Sequence, residues 1–314
     1  MEKKLNDLID KALSRRKFMA GAGTTAAAAL IVGCSNSNPA PTTTPTPTPT
    51  PKPLDIPDND ILNFALNLEY LEAEFYLYAA TGSGLSSKDA LTGAGTTKVP
   101  ANTIPVPWTN STFRQYANEI AQDELDHVRA IQAAITGNKG TPVPRPNIDL
   151  TFFGPLAVAA SITTDPTAFN PFASNNAFLV GAFIFEDVGV TAYTGAAPLL
   201  TSNAILSAAA GIQATEAYHA AEIRTLLVGN AANSGDQTYV GFANKVSALR
   251  ATLGGGAETM LSATSIVAAD SNAIAFGRTT DQVLHIVYGA PGVGLAKGGF
   301  FPNGLNGTIT ATAS

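Results

Sequence analysis

The chain has one cysteine, Cys34, in 314 residues, so it can close no disulfide of its own even in an oxidising compartment. Stability must come from packing, with bound metal as a second source. Charge is scarce too. Asp, Glu, Lys and Arg make up 13% of the residues, leaving Ser, Thr, Asn and the backbone to supply most surface polarity. Runs of alternating apolar and polar residues are missing, which points to a mainly α architecture. Histidine occurs only at 127, 219 and 285. The first 34 residues hold six Lys/Arg and three Asp/Glu, and removing them from totals of 18 and 24 leaves 12 basic against 21 acidic side chains. That acidic remainder argues against nucleic acid or an anionic membrane face as a partner. An apolar content of 45% suffices for a packed core, in one large domain or two small ones.

What is present begins with a targeting segment, residues 1–34. It reads SRRKFM and then AGAGTTAAAALIVGC, a run too short and too rich in Gly, Ala and Thr for a membrane-spanning helix. SRRKFM, with Arg15 and Arg16, resembles a twin-arginine export signal. IVGC resembles a lipobox, which implies that Cys34 becomes a lipidated first residue. The competing reading is a plain signal peptide with an incidental cysteine. The expected location is therefore exported, periplasmic or at the cell surface, with membrane contact only through the lipid anchor. Residues 35–57 form a Pro/Thr-rich linker whose repeated prolines favour an extended spacer of about 3.1 Å per residue.

Four helices follow. The first starts near Asp58, where DNDI offers a cap, and ends at Thr81–Gly82; its apolar positions 61, 62, 64, 65, 68, 71 and 75 keep helical spacing. A second runs from about Ser111 to Thr136. Prolines break 137–176. A third, NAFLVGAFIFEDVGVTAYTGAA, stops before Pro198, and a fourth spans about Ser202 to Val228, stopping at Gly229. A bundle over 58–229 is thus followed by an extension, 230–314, with weaker helices near 239–253 and 279–288 and a Gly-rich tail. A helix of 20 residues is about 30 Å long, so the segment between helices two and three can run the length of a bundle. Two helical hairpins joined by one long crossover would make a four-helix bundle whose connectivity resembles that of ferritin-like folds.

An internal repeat carries the chemistry. LNLEYLEAEFYLYAA (66–80) aligns without gaps on FIFEDVGVTAYTGAA (183–197), placing Glu69 on Glu186 and Tyr76 on Tyr193. Helices two and four align through Glu124/His127 and Glu216/His219. Residues three apart share a helix face, so each Glu-x-x-His can offer two ligands to one metal. One such pair is usually a solvated surface spacing. Two, each preceded by a matching Glu-x6-Tyr helix, suggest four carboxylates and two imidazoles gathered in an apolar interior. Four negative charges would there need two divalent ions to neutralise them.

Those residues resemble the ferritin-like superfamily of di-iron and di-manganese carboxylate bundles. NFALNLEYLEAEFYLYAATG resembles the branch that includes desiccation-related proteins. The resemblance covers roughly 58–228 and implies the ligands Glu69, Glu124, His127, Glu186, Glu216 and His219. Iron is the first expectation and manganese the second, and the ligand types also admit zinc. Glu72 shares the face of Glu69, and its repeat partner is Gly189, so it reads as an extra ligand, a supporting group or a surface carboxylate. Asp123 is placed to orient the ring of His127 or to face solvent. Glu222, three past His219, is similarly open. Tyr76 and Tyr193 are candidate redox or hydrogen-bonding groups, and equally plain core tyrosines. His285 has no acidic partner nearby and reads as a packed or surface residue.

The resemblance implies a metal-dependent redox protein acting on dioxygen or peroxide, as a di-iron oxidase or peroxidase or a di-manganese catalase, in oxidative or desiccation stress. The alternative is a non-enzymatic protective or binding module with a structural metal. A homo-oligomer is compatible with either reading, whereas a closed storage cage fits poorly with a lipid tether and a large C-terminal extension.

Overall fold

The computed structural model describes residues 56–101, 105–256 and 258–313. The targeting segment, Cys34 and nearly all of the linker lie outside them.

Four long helices make the bundle: α1 (Asp58–Thr81), α3 (Ser111–Gly137), α5 (Asn175–Ala196) and α6 (Asn203–Ser234). Shorter helices are α2 (Ser87–Ala90), α4 (Phe153–Ala159), α7 (Thr238–Gly254) and α8 (Thr280–Tyr288). α1 packs along α3, and α5 along α6, as the two hairpins require. Capping follows chemistry at three of the four starts. Asn110, Ser174 and Ser202 each accept a hydrogen bond from a backbone N–H of the first turn.

Asp58 departs from the sequence expectation. It is the first residue inside α1 rather than its cap, and its carboxylate accepts 2.9 Å bonds from the backbone N–H groups of Thr201 and Ser202. Burial raises the pKa of Asp58, but these bonds outweigh it, so the net shift is downward. The start of α1 is thereby fastened to the turn before α6.

Two further differences have local causes. α6 continues through Gly229 to Ser234, ending at Gly235 in the left-handed conformation with φ of 75°. A glycine inside a helix costs only about 1 kcal/mol. Buried Ala231 and a 3.0 Å bond from Asn230 to Asn176 on α5 hold the extra turn. Second, β1 (Thr97–Lys98) pairs in parallel with β2 (Ile148–Asp149). Two-residue strands are too short to leave an alternating pattern in the sequence. They pin the loop after α1 to the crossover. Arg145 on that crossover donates to the buried Glu74 of α1 and to the carbonyl of Gly95, adding a polar tie.

α5 is apolar and long enough to span a membrane by composition, yet 89% of its most apolar window is buried within the bundle. Its ring-bearing face joins Phe75, Phe153, Phe178, Phe185 and Phe300, whose centroids lie 5.0–5.6 Å apart in neighbouring pairs. Phe300 belongs to the C-terminal tail, so the extension contributes to the same core as the bundle.

Candidate metal centre

The repeat positions converge at mid-bundle. Nδ1 of His127 lies 3.3 Å from Glu69 Oε2, 3.4 Å from Glu124 Oε2 and 3.3 Å from Glu216 Oε1. Nδ1 of His219 lies 3.1 Å from Glu124 Oε1 and 3.4 Å from Glu186 Oε2. The imidazole centroids are 6.3 Å apart. Glu124 is therefore central: one oxygen faces each histidine. Each of the four long helices supplies one glutamate, and α3 and α6 each add a histidine. All six residues chosen from the sequence are brought together, and all are buried.

The donor set can be tested against a cation by asking which of its atoms are otherwise satisfied. Glu69 Oε2, both oxygens of Glu124, Glu186 Oε2, both oxygens of Glu216 and Nδ1 of each histidine are buried without a hydrogen-bond partner. Polar atoms without a good hydrogen bond in an interior each cost about 1–3 kcal/mol, more when charged, so eight facing one another suit a bound cation or, without one, shared protons. They fall into two overlapping groups whose potential ligand atoms lie within 4.8 Å of one another: Glu69, Glu124, His127 and Glu216, and Glu124, Glu186, Glu216 and His219. Glu124 and Glu216 are common to both groups, so each could contribute to either of two adjacent ions. The donor set fits a pair of cations.

Electrostatics agree. Without a cation, burial pushes Glu216 well above the ordinary carboxylate range and Glu124 upward, with neighbouring carboxylates adding to the shift. Burial opposes protonation of the histidines, but the carboxylates facing them prevail. His127 is raised far above the imidazole range and His219 is raised to about 12. The metal-free cluster therefore gathers protons where a loaded one would hold metal.

The two tyrosines cross the bundle symmetrically. Tyr76 of α1 donates to Glu186 Oε1 on α5, and Tyr193 of α5 donates to Glu69 Oε1 on α1. Each phenol thus fixes the glutamate of the opposite hairpin and leaves that glutamate's other oxygen facing the cluster. Loss of solvation and the nearby carboxylates push both phenols well above their ordinary range, so they remain donors. Tyr76→Phe and Tyr193→Phe should each lower thermal stability by about 1–3 kcal/mol, typical of a hydrogen bond to a charged group. Both should retain bound metal in a stoichiometry assay. Loss of all metal in either variant would make the phenol essential to the centre rather than an orienting donor.

Asp123 corrects an expectation. It does not serve His127 on its own helix; its Oδ2 lies 3.1 Å from Nε2 of His219 across the α3/α6 interface. The ring nitrogen facing away from the cluster is thereby tied to a carboxylate, which fixes a metal-binding tautomer. A one-dimensional reading pairs Asp123 with the histidine one turn away; the packing of α3 against α6 decides otherwise. Glu222 is half-buried, has one unpartnered oxygen and stays outside both ligand groups. His285 lies in α8 beside the carbonyl of Gly292, 3.0 Å away, and takes no part.

Glu72 is buried among the cluster's neighbours, although it belongs to neither ligand group. Its repeat partner Gly189 explains the asymmetry. A Cβ at 189 would overlap Glu216 Oε2 and stand 3.3 Å from Glu72 Oε1. Glycine on α5 makes the space that Glu72 on α1 and Glu216 on α6 share. The sequence alignment shows the mismatch but not its reason.

A mainly helical bundle with a buried Glu/His cluster of this composition is the arrangement of helical bundles that can hold metal between their helices. The chain belongs to the ferritin-like domain family, whose sequence profile matches residues 57–229. It is 34% identical to the desiccation-related protein PCC13-62 of Craterostigma plantagineum, over 73% of this chain and 78% of that protein. It is 28% identical to the ferritin-like catalase Nec2 of Nesocodon mauritianus, over 82% of this chain and 86% of that protein.

Proposed function

We propose that the chain binds two metal ions through Glu69, Glu124, His127, Glu186, Glu216 and His219, and uses them for redox chemistry on peroxide or dioxygen in protection against oxidative or drying stress. The observation that carries this reading is the set of eight buried, unpartnered ligand atoms in two overlapping groups. Similarity to a protein named as a ferritin-like catalase supports peroxide as the first substrate, and similarity to a desiccation-related protein supports the stress context. Iron and manganese suit carboxylate and imidazole donors.

When bound, such ions supply a two-electron couple that can take hydrogen peroxide to water and dioxygen, two peroxides yielding two waters and one dioxygen. The protein's own residues hold and orient. Tyr193 and Tyr76 fix Glu69 and Glu186, Asp123 fixes His219, and the surrounding apolar side chains limit water. Export through the twin-arginine-like segment and lipid anchoring at Cys34 belong to the same proposal. Twin-arginine export generally moves folded proteins, which would let the ions load beforehand.

The test is anaerobic loading of the folded domain with iron(II) or manganese(II), followed by metal analysis and addition of peroxide. About two ions per chain and evolution of dioxygen are expected. Loading should also release protons and tighten as pH rises from 6 to 8, because each incoming ion displaces protons from histidines that the metal-free cluster keeps charged. Fewer than one ion per chain would overturn the proposed centre. Two ions inert to both peroxide and dioxygen would reduce the metal to a structural part.

A further inference from the structure

The centre has two unlike sides. Toward α3 and α6 it meets polar groups, with Asp123 partly exposed beside His219. Toward α1 and α5 it meets a cavity walled almost wholly by carbon, including Ile61, Leu62, Phe64, Leu68 and Ala192. Half-buried Ala65, Ala196 and Leu200 also line it. Its polar boundary is made by Glu69, Glu72 and Tyr193, beside Gly189. The centre of a water-sized molecule can occupy about 30 Å³ of it. One water needs roughly 10–15 Å³ on that measure, so about two small molecules fit.

Glu72 stands at a junction. A second, smaller cavity beneath α8 and Phe300 also ends on Glu72 and Gly189. No hydrogen bond to Glu72 occurs among the described residues, although the residue is 5% exposed. A nearly buried carboxyl group that lines the ends of two apolar cavities is placed to meet whatever enters them. An ion would lose its hydration in such a passage with nothing in the wall to replace it, whereas a small uncharged molecule would lose little. Gly189 keeps the inner end open, since any side chain there would strike Glu216.

We propose that the cavity between α1 and α5 is the entry passage for a small uncharged oxidant of a few heavy atoms, and that Glu72 is the side chain it meets on reaching the cluster. This rests on the metal-centre reading above and adds the size and charge class of what the centre admits. Metal ions would arrive by the other, polar side. Glu72 acts as a positioning residue, offering a hydrogen bond to the incoming molecule beside Glu216.

Xenon and nitric oxide test this separately. In the metal-free full chain, xenon under pressure should occupy the α1/α5 cavity, and Ala196→Leu should remove it. In anaerobically iron(II)-loaded protein, Ala196→Leu should leave the metal count unchanged and slow nitric oxide binding at least tenfold by stopped-flow absorbance. Glu72→Gln should keep both the metal count and the xenon site, while raising the peroxide concentration needed for half-maximal rate severalfold. Absence of xenon from the wild-type cavity would overturn the passage, as would an unchanged nitric oxide rate once Ala196→Leu has removed xenon. An unchanged peroxide dependence in Glu72→Gln would remove Glu72 from it. Failure to load iron would instead sink the proposed centre, leaving the xenon arm to judge the cavity by itself.

Discussion

Glu124→Gln is expected to abolish tight metal binding while making the metal-free protein more stable. Glu124 is completely buried, and each of its oxygens faces a different histidine. An amide cannot bridge two cations as a carboxylate does. Changes to groups that only support ligands already cost about 10–100-fold in metal affinity, so loss of a shared ligand should exceed about 100-fold. The opposite sign in the metal-free state follows from burial, which together with the neighbouring carboxylates raises the pKa of Glu124 more than hydrogen bonds from His127 and His219 lower it. A carboxyl with a raised pKa in the folded state contributes most below its unfolded value near 4.5 and loses that contribution as pH climbs through its folded value. The stabilising effect of the amide should therefore grow between pH 5 and 8. Titration by metal-sensitive calorimetry, together with melting curves of chelator-treated protein, checks both halves. A variant that still binds two ions with parental affinity would remove Glu124 from the centre.

The second large effect concerns Asp187, the residue after Glu186. Its Oδ2 accepts from Arg224 and from Arg250, each at 2.7 Å, and all three residues are buried. Arg250 also donates to the carbonyls of Phe183 and Ile184 in α5 and to Glu258, which accepts in turn from Arg278. Burial works against ionisation of Glu258, but the two guanidinium groups hold its pKa below the ordinary range. Three arginines and two carboxylates thus bind the C-terminal extension onto the helix that carries Glu186. Breaking a buried pair by removing one partner costs about 3–5 kcal/mol, because the remaining charges lose compensation without regaining water. For a domain of this size, that is a fall of melting temperature on the order of 10 °C. Asp187→Ala should show it, and should expose residues 258–278 to limited proteolysis. Asp187→Asn, which keeps one acceptor, should fall between. A melting temperature within about 1 °C of the parent would mean that the extension is held by its apolar contacts alone.

Asp187 and the ligand candidate Glu186 are neighbours in α5, yet only one of the two is legible in the sequence. Glu186 stood out because it repeats Glu69 at a fixed offset, with a tyrosine seven positions on in both copies. Asp187 has Tyr70 as its repeat counterpart, and its three-arginine network draws on positions 224, 250, 258 and 278. No spacing links those positions. Similarly, helical periodicity foretold α1, α3 and α5 within a residue or two, but α6 outlasted the glycine expected to stop it. Helix termination is a balance of about 1 kcal/mol that a few tertiary contacts can overturn.

The sequence by itself determined the helical class, the two-hairpin connectivity and the six residues of the cluster, because each is written in local spacing or in a repeat. Residues three apart on a helix must share a face, whatever surrounds them. Tertiary structure alone decided which partner each side chain meets: Asp123 with His219 rather than His127, Tyr76 with Glu186, Tyr193 with Glu69. It also decided that Glu72 and Gly189 complement each other across α1 and α5. Those choices depend on how far apart the helices pack and how they are rotated about their axes, and both are set by the summed contacts of the whole core.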